Sequence, residues 1–178
     1  MKKLSLKNCK KIGILGGTFD PPHKGHLYIS KFAIKKFKLN KLIWVITKKN
    51  PLKKKPYLNI KTRIKLSKKL TKFEKKIYIQ FLDNKINSNN TFDLLKYIKK
   101  NNKKMNLYFL IGADNLKKFH KWYNWQKIPK LAKMVVFRRL NYSIRSFNKQ
   151  TIKKLSKKDW IYVDSKKINI SSSIIRKF

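Results

Sequence analysis

Six short runs of apolar, β-branched or aromatic residues recur along the chain: Ile12–Leu15, Leu42–Ile46, Ile77–Leu82, Leu107–Ile111, Met134–Phe137 and Trp160–Val163. Each run is nearly continuous in polarity rather than alternating, which is the pattern of strands covered on both faces. Helical periodicities lie between them. Ile29, Phe32, Ala33 and Phe37 form an i, i+3, i+4, i+8 stripe. Shorter stripes run over residues 60–70, through Ile60, Ile64, Leu66 and Leu70, and over 92–98, through Phe92, Leu94, Leu95 and Ile98. Strands alternating with helices require right-handed crossovers, so the expected fold is α/β, an open, doubly wound parallel sheet. With 178 residues, no internal repeat and no linker, residues 1–178 are expected to form a single domain. Ligands of such sheets sit outside the carboxyl ends of the strands, where the strand order reverses. The exit of the first strand is therefore where chemistry is expected.

The chain carries 48 Lys+Arg against 7 Asp+Glu, a formal net charge of +41. Charge of that sign attracts phosphates of any kind, nucleic acid included. Only Arg63, Arg138, Arg139, Arg145 and Arg176 are arginines, whereas base-edge readers favour the guanidinium. The lysines are scattered in pairs and triples, such as Lys35-Lys36 and Lys53–Lys55, with no single basic arm. A solvated surface is preferred to a selected polyanion site, and no specific nucleic-acid partner is expected. A 42% hydrophobic and 13% aromatic content excludes a disordered chain. The lone Cys9 excludes an intramolecular disulfide framework and a cysteine zinc cage. The N-terminal apolar stretch Ile12–Leu15 is too short for a signal peptide, and no run approaches a membrane span. A soluble cytoplasmic protein with no membrane partner is expected, and nothing in the sequence fixes its oligomeric state.

The first strand runs directly into Gly16-Gly17-Thr18-Phe19-Asp20-Pro21-Pro22-His23-Lys24-Gly25-His26. Two glycines allow a tight turn and the approach of backbone N–H groups to a phosphate. Asp20 and Pro21 fit an N-cap and a first-turn proline. His23 and His26, three residues apart at a helix start, share one face beside the positive end of the helix dipole. Two imidazoles placed there can donate to phosphate oxygens and stabilise charge that builds during phosphoryl or nucleotidyl transfer. A packed histidine pair and a His/His/Asp metal site are the competing readings. Two of the chain's 3 histidines in one glycine- and proline-framed loop favour phosphate.

Near the end, Ile170-Ser171-Ser172-Ser173-Ile174-Ile175-Arg176 reads as a helix start with three hydroxyls. Those hydroxyls can cap orphan N–H groups or hold a phosphate, which Arg176 could reach one turn later.

The first motif resembles the signature of the nucleotidyltransferase superfamily that carries His-x-Gly-His, in particular bacterial nicotinate-nucleotide adenylyltransferases. The resemblance extends from Gly13 to Arg176. The serine motif is similar to the superfamily's Ile-Ser-Ser-Thr-x-Ile-Arg, with Ser173 in place of Thr. Ile111-Gly112-Ala113-Asp114 followed by Trp122-Tyr123-Asn124-Trp125 resembles the Ile-Gly-x-Asp and Trp-x-x-Trp blocks of the pyridine mononucleotide branch. Thr91-Phe92-Asp93-Leu94-Leu95 resembles Thr-x-Asp-Thr-Leu, with Leu94 replacing the second Thr, and Asn50-Pro51-Leu52-Lys53 matches a further family form.

A Rossmann-like sheet and transfer of AMP from ATP to nicotinate mononucleotide, in NAD biosynthesis, are what this resemblance implies. His23 and His26 would be catalytic. Gly16, Gly17, Thr18, Phe19, Ser171, Ser172, Ser173 and Arg176 would bind ATP. Thr91, Asp114, Trp122, Tyr123 and Lys53 would bind the acceptor nucleotide, and Trp125 is read as core. No protein metal site is expected, and Mg²⁺ would travel with ATP. Pantetheine-phosphate and nicotinamide-mononucleotide adenylyltransferase are the enzymatic alternatives, and a basic nucleic-acid-binding protein is the alternative outside enzymes.

Overall fold

Every apolar run becomes a strand. In the computed structural model, which describes residues 5–6, 8–100, 104–139, 151 and 155–164, the strands are β1 (Lys11–Gly17), β2 (Lys41–Ile46), β3 (Ile77–Gln80), β4 (Asn106–Gly112), β5 (Lys133–Phe137) and β6 (Trp160–Val163). They form one parallel sheet in the order β3-β2-β1-β4-β5-β6. The helices are α1 (Lys24–Lys36), α2 (Ile60–Leu70), α3 (Asp83–Ile86), α4 (Thr91–Lys100), α5 (Ala113–Leu116) and α6 (Ile128–Leu131). The expected helix over 60–70 is α2 residue for residue, and the one over 92–98 extends to Thr91 and Lys100. The third strand stops at Gln80, before the end of its apolar run, because Leu82 already serves as the N-cap of α3.

Side chains alternate along each strand, so the sheet has two buried faces. Ile12, Ile14, Ile43, Val45, Phe109, Ile111, Met134 and Val136 pack with Leu95 and Ile98 of α4, Leu116 of α5 and Ile128 of α6. Leu15, Leu42, Trp44, Ile46, Leu110, Val135 and Phe137 pack on the opposite face with Ala33 of α1, and Phe32 of α1 and Ile64 of α2 flank them. Each fully buried Val, Leu or Ile contributes about 1.5–3 kcal/mol. This double interior, rather than the lysine-rich helix surfaces, holds the sheet together.

From β1 the chain winds outward through β2 and β3, then returns to β4 on the other side of β1 and winds outward again. The reversal therefore falls between β1 and β4, where Leu15 lies opposite Leu110. Gly17 and Gly112 end these two parallel strands at the same, carboxyl end of the sheet. No helix among the described residues is long and apolar enough to cross a membrane.

Candidate active site

A cavity of about 810 Å³ opens over the carboxyl ends of β1 and β4, at the reversal. Gly16, Gly17, Thr18 and Phe19 line it from the β1 side, Gly112 and Asp114 from the β4 side. The β1 exit differs from expectation in two respects. Gly16 and Gly17, expected in a tight turn, are the last residues of β1 and neither has a positive φ; the left-handed residue is Phe19, with φ 50°. A methyl group on Gly16 or Gly17 would meet only ordinary contacts, at 3.8 Å from the Phe109 ring and 3.5 Å from the Phe19 ring. What the two glycines leave open is the cavity itself. Asp20, second, is not the N-cap of α1. Its buried carboxylate accepts from the backbone N–H groups of Tyr57 (2.8 Å) and Leu58 (2.9 Å), and His23 is the N-cap.

The helix start does bring the histidines together, with ring centroids 3.8 Å apart. His26 lines the cavity while His23 is buried behind it. The His23 backbone N–H donates to Nδ1 of His26 at 3.2 Å. Neutral His26 therefore carries its proton on Nε2, where it can be donated to a ligand. The rest of the imidazole is fixed by packing. Its ring lies 4.7 Å from that of Phe19, which stacks in turn on the fully buried Trp44 at 4.9 Å. Phe19 itself is only 2% exposed, so its ring supports His26 rather than presenting a face to solvent. Burial, then the charge of Arg139, pushes the His23 pKa down to about 4. The His26 pKa lies well below 6.5, first through burial and then through His23, Arg139 and Lys53. Both rings are thus neutral at pH 7, with the cations Arg139 and Lys53 acting on them. Among the described residues the two ring nitrogens of His23 have no hydrogen-bond partner.

The opposite wall collects the remaining expected residues. Thr91 begins α4, and Leu94, one turn on, lines the cavity beside it. Trp122 lines it too, its ring braced by Phe119 at 5.2 Å and Phe109 at 6.2 Å. Tyr123 also lines the cavity; it is 55% exposed and meets Phe92 edge-on at 6.0 Å. Trp125 packs edge-on against Phe119 at 5.8 Å and joins the core, as expected. Lys53 reaches the cavity from a turn in which Asn50 Oδ1 accepts from Leu52 N–H at 2.8 Å. Ser171, Ser172, Ser173 and Arg176 lie outside the described residues.

Three residues at or beside the site, Arg139, Arg63 and Asp83, belong to none of the sequence motifs. Arg139, just past β5, lines the cavity with Nε 3.2 Å from Asp114 Oδ1. Gly112 makes room for that pair: a Cβ there would fall 2.5 Å from Asp114 Oδ1 and 2.9 Å from Arg139 Nε. Arg63, on α2 and 2% exposed, donates to four backbone carbonyls, and Asp83 accepts from Thr47 Oγ1 and the Lys48 N–H. The available signal was scarcity. Five arginines and 7 acids in a chain of 43 lysines are the charges most worth locating.

Among the described residues no three His, Cys, Asp or Glu side chains are grouped so as to hold a metal ion. The arrangement offers neutral hydrogen-bond donors and surrounding cations at one end and a flat aromatic wall at the other. It suits a phosphate chain joined to a planar ring.

Comparison with known proteins agrees with this geometry. The cytidylyltransferase-like family matches residues 14–178. A protein of Pelagibacter ubique described as a probable nicotinate-nucleotide adenylyltransferase is 47% identical over 94% of this chain and 92% of its own length. One of Clostridium tetani with the same description is 35% identical over 94% and 86%. The structure of Plasmodium falciparum nicotinic acid mononucleotide adenylyltransferase complexed with NaAD shares the fold, with a TM-score of 0.78 at 23% identity over 95% of this chain and 83% of that one. This chain belongs to the cytidylyltransferase-like family and, within it, to the nicotinate-nucleotide adenylyltransferases, and it is a nucleotidyltransferase.

Proposed function

We propose that the protein, as one nucleotidyltransferase domain over residues 1–178, transfers AMP from ATP to the 5′-phosphate of nicotinate mononucleotide in the cytoplasm. An acceptor phosphate oxygen attacks the α-phosphorus, the bond to the β,γ-phosphates breaks, and pyrophosphate leaves with that electron pair. The observation that carries this reading is the His23–His26 pair at the start of α1, opening onto a cavity whose far wall is Trp122, Tyr123 and the N-terminus of α4.

No side-chain nucleophile is required, because the acceptor phosphate is already an anion; alignment and charge stabilisation supply the catalysis. Nε2–H of His26 donates to the α-phosphate, and His23 sets the environment of that imidazole from behind. Gly16, Gly17 and Thr18 leave the phosphate chain room along β1, with Phe19 as support, and Ser171, Ser172, Ser173 and Arg176 bind the outer phosphates. Asp114, held by Arg139, accepts from a ribose hydroxyl, and Lys53 meets the acceptor phosphate. Trp122 and Tyr123 wall the pyridine ring, while Thr91 donates to its carboxylate. Mg²⁺ enters as part of the ATP substrate, because 7 Asp and Glu offer few carboxylates for an all-protein site.

The test is pyrophosphate release with ATP and each of nicotinate mononucleotide, nicotinamide mononucleotide and 4′-phosphopantetheine. Nicotinate mononucleotide should be the best acceptor, and a folded His26→Ala protein should lose on the order of 10²–10³-fold in kcat. Turnover with phosphopantetheine alone, or a His26→Ala protein of normal kcat, would overturn the assignment.

A further inference from the structure

Arg63 is buried on α2, yet it makes no direct ion pair among the described residues. Instead its guanidinium serves four main-chain carbonyls from three separate segments. Nη1 donates to the carbonyls of Thr18 (2.6 Å) and Thr47 (2.7 Å), Nη2 to that of Lys48 (3.1 Å) and Nε to that of Leu58 (3.0 Å). Two of these residues are gripped at both their N–H and their C=O. The Leu58 N–H donates to Asp20 (2.9 Å) and the Lys48 N–H to Asp83 (2.8 Å), while Thr47 Oγ1 donates to Asp83 as well (2.7 Å). A cation flanked by two carboxylates, all three buried, is thus wired together through the backbone.

The segments it joins border the cavity where β1 and β2 end. Thr18 lies on the loop from β1 to α1, the phosphate side; Thr47 follows β2, and Asp83 opens the turn that leads through Ser88 to Thr91. We infer that Arg63 is a positioning residue: it holds the phosphate loop and the exit of β2 in one register, so that ATP and the acceptor nucleotide meet aligned. This role rests on the function proposed above. Alignment is where a nucleotidyl transfer without a protein nucleophile is most sensitive, since a misplacement of about 1 Å can cost on the order of 100-fold in rate. Only a guanidinium fits the role. Its five N–H donors lie in one plane, whereas the ammonium of lysine offers three donors from a single point and cannot span carbonyls on three segments. In a chain with 43 lysines, an arginine at this position is chemically distinctive.

The test compares the unmodified protein with Arg63→Lys, which keeps the charge, and with Asp83→Ala, which leaves the guanidinium in place but frees the β2 exit. Melting curves establish folding, calorimetry gives the affinity of ATP alone and of nicotinate mononucleotide alone, and pyrophosphate release gives kcat at saturation. In folded variants, the expected result is a kcat lower by on the order of 100-fold for Arg63→Lys and tenfold for Asp83→Ala, with each separate affinity within about threefold. A purely structural role lowers the melting midpoint and leaves kcat per folded molecule unchanged, and that result overturns the inference. If Arg63→Lys does not fold, Asp83→Ala decides alone; failure of both to fold assigns the network to stability and likewise overturns it. An unmodified protein that turns over none of the acceptors overturns the function reading, and the positioning role with it. Normal unmodified turnover with unaffected variants overturns the positioning role only.

Discussion

A neutral imidazole is an unusual choice for meeting a polyanion, and the histidine pair shows what it gains. Burial and the cations Arg139 and Lys53 keep His26 uncharged until a ligand arrives, so its Nε2–H is a fixed, already desolvated donor. The arrangement has a measurable consequence for the empty protein. His23 titrates near 4 and His26 well below 6.5 when folded, whereas both titrate near 6.5 when unfolded. Between those limits the unfolded chain binds protons that the folded chain refuses, so stability is complete above pH 6.5 and is lost as pH falls toward 4. With only 7 carboxylates in the chain, the histidines should dominate this slope at its upper end. Melting midpoints recorded from pH 7 to pH 5 should therefore fall. His23→Asn should flatten the fall, and bound ATP, whose phosphates favour the imidazolium, should reduce it. A midpoint that rises on acidification would contradict the assignment of buried neutral rings.

Among the elements, α4 has two faces with different duties. Leu95 and Ile98 anchor it in the core, while Thr91 and Leu94, on its first turn, face the cavity. A carboxylate and a carboxamide on pyridine have nearly the same shape, so only hydrogen-bond polarity can separate them. Each donor left facing an amide NH₂ costs about 1–3 kcal/mol, and two such mismatches amount to a preference of roughly 100-fold. Nicotinate mononucleotide should be preferred over the nicotinamide form by that order, and Thr91→Val should narrow the gap in kcat/KM. Equal efficiency of the two acceptors in the unmodified protein would refute the claim. At this scale much was legible from sequence, because buried strands and α2 announce themselves through local polarity. Asp20 was misread as a cap because its true partners, Tyr57 and Leu58, are 37 and 38 residues away. Arg63 reaches Thr18 across 45 residues, and no local periodicity encodes such a contact. The conformation of Phe19 hid for a different reason: a tight turn was expected at Gly16 and Gly17, but both end β1, and the left-handed backbone falls on an aromatic residue whose ring the core secures.

For the molecule as a whole, the dominant fact is that +41 charges share one small surface. The ion pairs among the described residues are Lys31–Glu74 (2.8 Å), Arg138–Asp164 (3.0 Å) and Arg139–Asp114 (3.2 Å). Of these the first two are exposed pairs, worth little in water. Most lysines therefore repel one another without relief, which opposes the compact state more than the expanded one. Added salt screens this repulsion, since the Debye length falls from about 10 Å at 0.1 M to about 3 Å at 1 M. The same screening weakens the long-range attraction that brings phosphorylated substrates to the cavity. Stability and substrate capture should consequently respond to salt in opposite directions. Across that range of sodium chloride, the melting midpoint should rise while KM for ATP and for the acceptor nucleotide increases, with kcat little changed because the buried donors at the transferred phosphate are poorly screened. A melting midpoint that falls with salt would mean that specific ion pairs, not self-repulsion, govern the fold. A KM indifferent to salt would mean that the lysine surface has no part in gathering substrate.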